Sequence, residues 1–122
     1  MNKRPLYLLW ALTLTLCALC TMQAQAQSQL AGVERVLRVA SLTSDMRDEL
    51  NRELARTGQG RMTYACVPAG IIVIADTQAR SEEQVIEVVE GILRQRSHEP
   101  QVEAPHWSIQ QAEQACANAR NR

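Results

Sequence analysis

The pattern of apolar and polar positions along the chain first predicts a β-hairpin. Met62-Thr-Tyr-Ala-Cys-Val67 and Ile71-Ile-Val-Ile-Ala75 are apolar, β-branched runs, and Pro68-Ala69-Gly70 between them supplies the turn. Proline presets the backbone for the first corner, and glycine accepts the left-handed position that follows. The second run is apolar on both sides, Ile71 and Val73 on one and Ile72 and Ile74 on the other, which predicts burial of both faces. Beyond it, Ser81 and Gln84 have the spacing of a capping box, and Glu82 and Glu83 suit the positive end of a helix. Val85, Val88, Val89, Ile92 and Leu93 then recur at helical spacing. The predicted helix covers 82–95, with Gly91 inside it at a cost of about 1 kcal/mol relative to alanine.

Two further helices follow from the same periodicity. Ser44 is expected to cap one over 45–57, with Met46, Leu50 and Leu54 on its buried stripe, Asp48 paired to Arg52 on its wet side, and Gly58 as its stop. Ser108 and Gln111 repeat the capping box at the start of a last helix over 108–118, where Ile109, Ala112 and Cys116 share a stripe. Val33–Leu42 is ambiguous: Val33, Val36, Leu37 and Ala40 fit a helical stripe, while Val36-Leu37-Arg38-Val39 also makes an acceptable strand. Taken as a strand over 34–40, and with a short last strand at 101–103, it completes the order βαββαβ. The expected fold is α+β, a ferredoxin-like βαββαβ sandwich plus a C-terminal helix. The alternative, helix–helix–β-hairpin–helix–helix, leaves a two-stranded sheet with little support.

The N-terminus reads differently. Lys3 and Arg4 precede an apolar run from Leu6 to Leu19, and Gln23-Ala24-Gln25-Ala26-Gln27 follows. A basic start, a short apolar stretch and a small-x-small site make a cleavable signal peptide of residues 1–26. The apolar run is shorter than the ~20 residues a spanning helix needs. Cys17 and Cys20 leave with this segment, so their C-x-x-C spacing carries no role, and Leu16 and Leu19 stand where a lipidated cysteine would need a small residue. The expected product, 27–122, is a single small domain that is periplasmic or secreted, with no membrane attachment after cleavage.

Removal of Lys3 and Arg4 leaves eleven arginines against thirteen acidic residues, a net charge near −2. Such a balance gives no electrostatic footprint for nucleic acid. Cys66 and Cys116 remain, and in an oxidising compartment an even count reads as a disulfide. If Cys116 bonds the hairpin, the last helix has to lie against the sheet, covering the face the other two helices leave open.

From Val36 to Leu93 the spacing of strand, Ser-Leu-Thr-Ser loop, helix, hairpin and Ser-Glu-Glu helix resembles a heavy-metal-associated domain. That family carries soft metals in a loop of the form G-M-x-C-x-x-C. Here the loop reads Ser41-Leu42-Thr43-Ser44-Asp45-Met46-Arg47, so Ser44 and Arg47 replace both thiolates that an ion such as Cu(I) requires. The resemblance implies the fold and a carrier ancestry, without the metal site.

Other chemistry is sparse. His98 and His106 flank Glu99 and Glu103 in a proline-punctuated stretch, but none sits at a fixed helical spacing for zinc. Asp76 after the apolar strand is read as a turn residue that bonds nearby amides, and Asp45, Asp48, Glu49 and Glu53, interleaved with Arg47, Arg52 and Arg56, as a solvated salt-bridge face. Gly58-Gln-Gly60 precedes a strand and lacks the third glycine of a dinucleotide loop. Tyr64 and Trp107 are too few aromatic residues for stacking on bases or sugars. No catalytic residue, metal site or cofactor is assigned. The expected function is that of a non-catalytic module working by contact with a protein partner or by self-association, the hairpin edge being able to accept a strand; a divergent metal or small-ligand carrier is the alternative.

Overall fold

The structure is a computed structural model and describes residues 32–122. The expected signal segment and its cleavage site lie outside the described residues. Strand β1 (Val33–Val39) leads to helix α1 (Ser44–Thr57), then β2 (Arg61–Cys66), a 3₁₀ turn (Val67–Ala69), β3 (Ile71–Asp76), helix α2 (Glu82–Leu93), β4 (Val102–Glu103) and helix α3 (Ile109–Arg120). The ambiguous first segment is thus a strand. Its partner β3 decides the matter, pairing antiparallel from Val33↔Asp76 to Arg38↔Ile71. The sheet has the order β2-β3-β1-β4, with every neighbouring pair antiparallel.

Strand β3 organises the packing because all six of its residues are buried. Ile72 and Ile74 join Leu37 and Val39 of β1 against Met46, Leu50 and Leu54 of α1 and Val85, Val89, Ile92 and Leu93 of α2. Ile71 and Val73 face the other way, with Val36, Cys66, Ala112 and Cys116, and with Tyr64 and Trp107 packed at the margin. Two helices therefore roof one face and α3 covers the other, as burial on both sides of the apolar strand required. The turn into β3 ends on Gly70, whose φ of 66° is left-handed; a Cβ there would come within 2.6 Å of the Val39 carbonyl oxygen. That carbonyl's own residue donates its amide to the Gly70 oxygen at 2.7 Å, so the hairpin turn is sewn directly to the end of β1.

Helix ends follow the capping rules with one displacement. Ser81 with Gln84 and Ser108 with Gln111 form reciprocal boxes. The first helix is capped by Thr43, whose Oγ1 accepts from the Met46 amide at 3.2 Å, so Ser44, the expected cap, is the first helical residue. Gly58 ends it in the left-handed conformation. The second helix stops at Leu93 and the last strand begins at Val102. Ile109, expected on the buried stripe of α3, is 37% exposed. It is the first residue of that helix, at the rim, and burial begins one turn later with Ala112.

Cys66 and Cys116 are joined, with Cα atoms 5.9 Å apart across 50 residues of sequence, a separation suited to a disulfide. The cover it fastens is thin, since α3 buries Ala112 and Cys116 and small side chains supply little apolar area. In the chain-entropy description, closing a loop of this size stabilises by about 4 kcal/mol. Replacing both cysteines by alanine should therefore lower the melting temperature by at least about 15 °C, and removing the chain after Ala104 should lower it as well. A truncated protein melting like the parent would show that α3 contributes nothing to the second face.

Candidate functional site

Buried charge gathers at two places in the fold, and both are fully occupied by internal partners. Asp76, the last residue of β3, has a side chain with no exposed surface. Its Oδ2 accepts from the Arg80 amide at 2.6 Å, and its Oδ1 from the Gln78 amide at 3.2 Å and the Arg80 guanidinium at 2.7 Å. The turn reading of this aspartate holds, strengthened by the arginine. Arg80 also donates to the Gln59 carbonyl, and Arg35 donates to the Arg80 carbonyl at 2.8 Å, although the Arg35 Nε is buried without a partner. Burial alone would push the Asp76 carboxyl up; the guanidinium and the two amides together outweigh it and hold the carboxyl below the usual aspartate range.

The second place corrects the reading of α1 as a solvated ionic face. Glu49 is buried, and its carboxylate accepts from Arg52 and, at 3.1 Å, from Arg96 in the loop after α2. These two guanidiniums hold its carboxyl below the ordinary glutamate range. Arg52 thus serves Glu49, and Asp48 pairs instead with the neighbouring Arg47 at 2.7 Å. The geometric cause is visible in the spacing: Glu49 lies three residues after Met46 and one before Leu50, inside the buried stripe.

The histidine stretch does not converge. His106 lies 3.4 Å from Glu82 at the start of α2 with a side chain 77% exposed, and His98 and Glu99 are exposed in the preceding connection. Among the described residues, no three His, Cys, Asp or Glu side chains are grouped to hold a metal ion. In the loop that aligns with the metal-binding motif, Leu42 and Met46 turn into the core, while Ser44 and Asp45 face solvent. Beside this loop opens a cleft of about 610 Å³, bounded by residues 38–42, the hairpin turn 67–70, residues 100–103 and Glu90 of α2. Its charged wall is the Arg38–Glu103 pair at 3.4 Å, and much of its remaining lining is loop residues.

The two edges of the sheet are unlike. At one end β4 is two residues long, pairs with Arg38 and Val39, and stands between Pro100 and Pro105. Shortness, charge and flanking proline are the devices that blunt an edge. At the other end β2 presents six residues, Arg61–Cys66, free of proline and charged at Arg61 alone. A bulge at Thr63 interrupts its pairing with β3. Between this strand and α1 runs a groove of about 220 Å³, with Arg47, Asp48 and Asn51 on the helix side and Met62–Ala65 on the strand side. Among the described residues, no helix is long and apolar enough to cross a membrane.

Compared with protein-family models, characterised proteins and solved structures, the chain matches none.

Asp76→Asn tests the buried pair. Losing the charge that balances Arg80 should cost about 3 kcal/mol at neutral pH, read as a lower urea midpoint. The folded carboxyl titrates below its unfolded value of about 3.9, so its contribution is complete above that value and is lost as pH falls through the folded one. Stability of the parent should therefore drop below about pH 4 by more than that of the variant; parallel pH profiles would remove Asp76 as the cause.

Proposed function

We propose that this protein is a non-catalytic, exported interaction module that receives an extended polypeptide segment along β2. The observation that carries the reading is the contrast between its edges: β4 is short and bracketed by prolines, whereas β2 offers six residues with a helix-walled groove beside it. An added strand gains backbone hydrogen bonds from such an edge, and the groove supplies side-chain selectivity. The buried ionisable groups support the non-catalytic part. Glu49 and Asp76 are each committed to arginine partners, which leaves neither poised for proton transfer in an open cleft. The sandwich is of the ferredoxin-like kind on this reading, its element order and strand order β2-β3-β1-β4 being the ones that fold uses. Export rests on the basic and apolar pattern of residues 1–26 and is supported by the disulfide.

A photoreactive residue in place of Thr63, compared with one in place of exposed Gln110 on α3, tests the edge directly in cells that make the protein. Thr63 should give discrete protein adducts on illumination and Gln110 none. Absence of Thr63 adducts, or equal labelling from both positions, would count against the accepting edge.

The cleft beside residues 38–42 favours a second reading, a small-ligand carrier descended from a heavy-metal-associated domain that has lost its thiolates. Its size, about 610 Å³, falls within the range of small-molecule sites. Native mass spectrometry of the protein purified without dialysis should then find a bound species of a few hundred daltons, lost on Arg38→Ala. A bare polypeptide mass would exclude this reading.

A further inference from the structure

Strand β2 carries a self-complementarity that its bulge creates. Pairing with β3 sets Arg61 opposite Ala75, Met62 opposite Ile74, Tyr64 opposite Val73, Ala65 opposite Ile72 and Cys66 opposite Ile71, with Thr63 as the extra residue. Met62 and Ala65 accordingly face the α1–α2 side, while Tyr64 and Cys66 face the α3 side. A two-fold axis normal to a sheet pairs two copies of an edge strand antiparallel and keeps each face with itself. For six regularly alternating residues paired along their full length, residue 1 would meet residue 6 and the faces would be crossed. The bulge shifts the alternation by one in mid-strand and removes that conflict. Full-length pairing then sets Met62 opposite Ala65 of the second copy on the α1 side and Arg61 opposite Cys66 on the α3 side, with Thr63 and Tyr64 beside the axis.

We infer that the occupant of the β2 edge is a second copy of this chain, joined β2 to β2 about a two-fold axis near Thr63 and Tyr64 into a continuous eight-stranded antiparallel sheet. This rests on the reading of β2 as an accepting edge and names its partner. The register places half-buried Met62 over the small Ala65 in both symmetry-related positions, large against small, as cross-strand packing prefers. The strand's single charge, Arg61, sits at its end, so the two guanidinium-bearing residues stand about 17 Å apart along the seam instead of facing each other. On the groove wall Arg47 and Asp48, already paired at 2.7 Å, form a neutral doublet that a two-fold axis can set opposite its own copy with signs alternating. With Lys3 and Arg4 removed, the net charge near −2 is small enough to oppose association only weakly. One strand and one helix flank make a seam at the small end of specific interfaces, below about 1,200 Å², so the dimer should be a micromolar one.

Light scattering on the native protein between about 5 and 500 µM tests this. The mass should rise from one chain to two. Thr63 is exposed, and its hydroxyl makes one long contact, 3.4 Å to the Val73 oxygen, so Thr63→Lys and Thr63→Glu should keep the fold. Each alone sets like charges beside the axis and should weaken dimerisation at least tenfold; mixed one to one, the two should restore it. Retention of the dimer in both variants, or failure of the mixture to recover it, would overturn the β2 seam. A parent monomeric throughout would overturn self-pairing, while heterologous adducts from the photoreactive Thr63 position would still leave the accepting edge standing. If either variant misfolds, hydrogen exchange on the parent decides: dilution should speed exchange of β2 amides and leave those of β4 unchanged, and equal rates at both concentrations would overturn the inference.

Discussion

A strand with six consecutive buried residues cannot sit at the surface of a two-layer domain. Everything else in this molecule answers to that condition on β3. Its even-numbered isoleucines are roofed by two helices whose apolar stripes carry valine, leucine and methionine. Its odd-numbered positions, Ile71 and Val73, fall on the side that a single two-helix layer leaves bare. The chain meets the requirement with a helix that supplies alanine and cysteine in place of large apolar side chains, and a covalent bond to the sheet makes up for the meagre area. In so small a domain, about 4 kcal/mol from loop closure is comparable to the whole margin of stability. The third layer is fastened more than it is packed.

Much of this architecture can be read from residues alone, and the reasons are local. Capping boxes at Ser81 and Ser108, the Pro68–Gly70 turn and the left-handed Gly58 are short-range signals in which the residue and its bonding partner lie within four positions. The unbroken apolar run of β3 announced burial on both faces, and so a cover from the C-terminal segment. Two features resisted for the same physical reason. Glu49 and the β2 bulge are defined by partners on other elements: Arg96 lies 47 residues from Glu49, and the bulge exists relative to β3. The partner of Asp76 is local, Arg80 four residues on, and what the turn reading lacked was the burial of that pair. Charge alternation along α1 looks alike whether a carboxylate faces solvent or a loop arginine that closes over it. The edge of β2 was legible as a feature of the hairpin; that it lies at the rim of the sheet follows from strand order, and β1 between β3 and β4 sets that order.

The unequal treatment of the two rims has a physical logic. A β-sheet edge is a row of unpaired amides and carbonyls, and the cost of leaving it open is unwanted pairing. Prolines at 100 and 105 and a two-residue strand close one rim of this sheet. The other is left with hydrogen-bonding groups along six residues and a bulge that changes which side its residues face. A bulge is ordinarily a deterrent to edge pairing. Here its effect depends on the incoming strand: a regular strand meets crossed faces past Thr63, while one with the same irregularity meets matched ones. A defect in the ladder can in this way act as a filter for partners that share it.

The bond between Cys66 and Cys116 also determines what damage to the chain looks like. It closes a covalent ring containing β3, α2, the exposed 94–99 connection, β4 and most of α3. An endopeptidase that nicks that connection cannot shed the C-terminal piece, because both fragments remain tied through sulfur while β4 and α3 stay seated on the sheet. A clipped molecule would keep its roofed second face and travel as one body, its scar visible after reduction. Wherever proteases are common, such tolerance of a single cut lengthens the working life of a domain closed in this way.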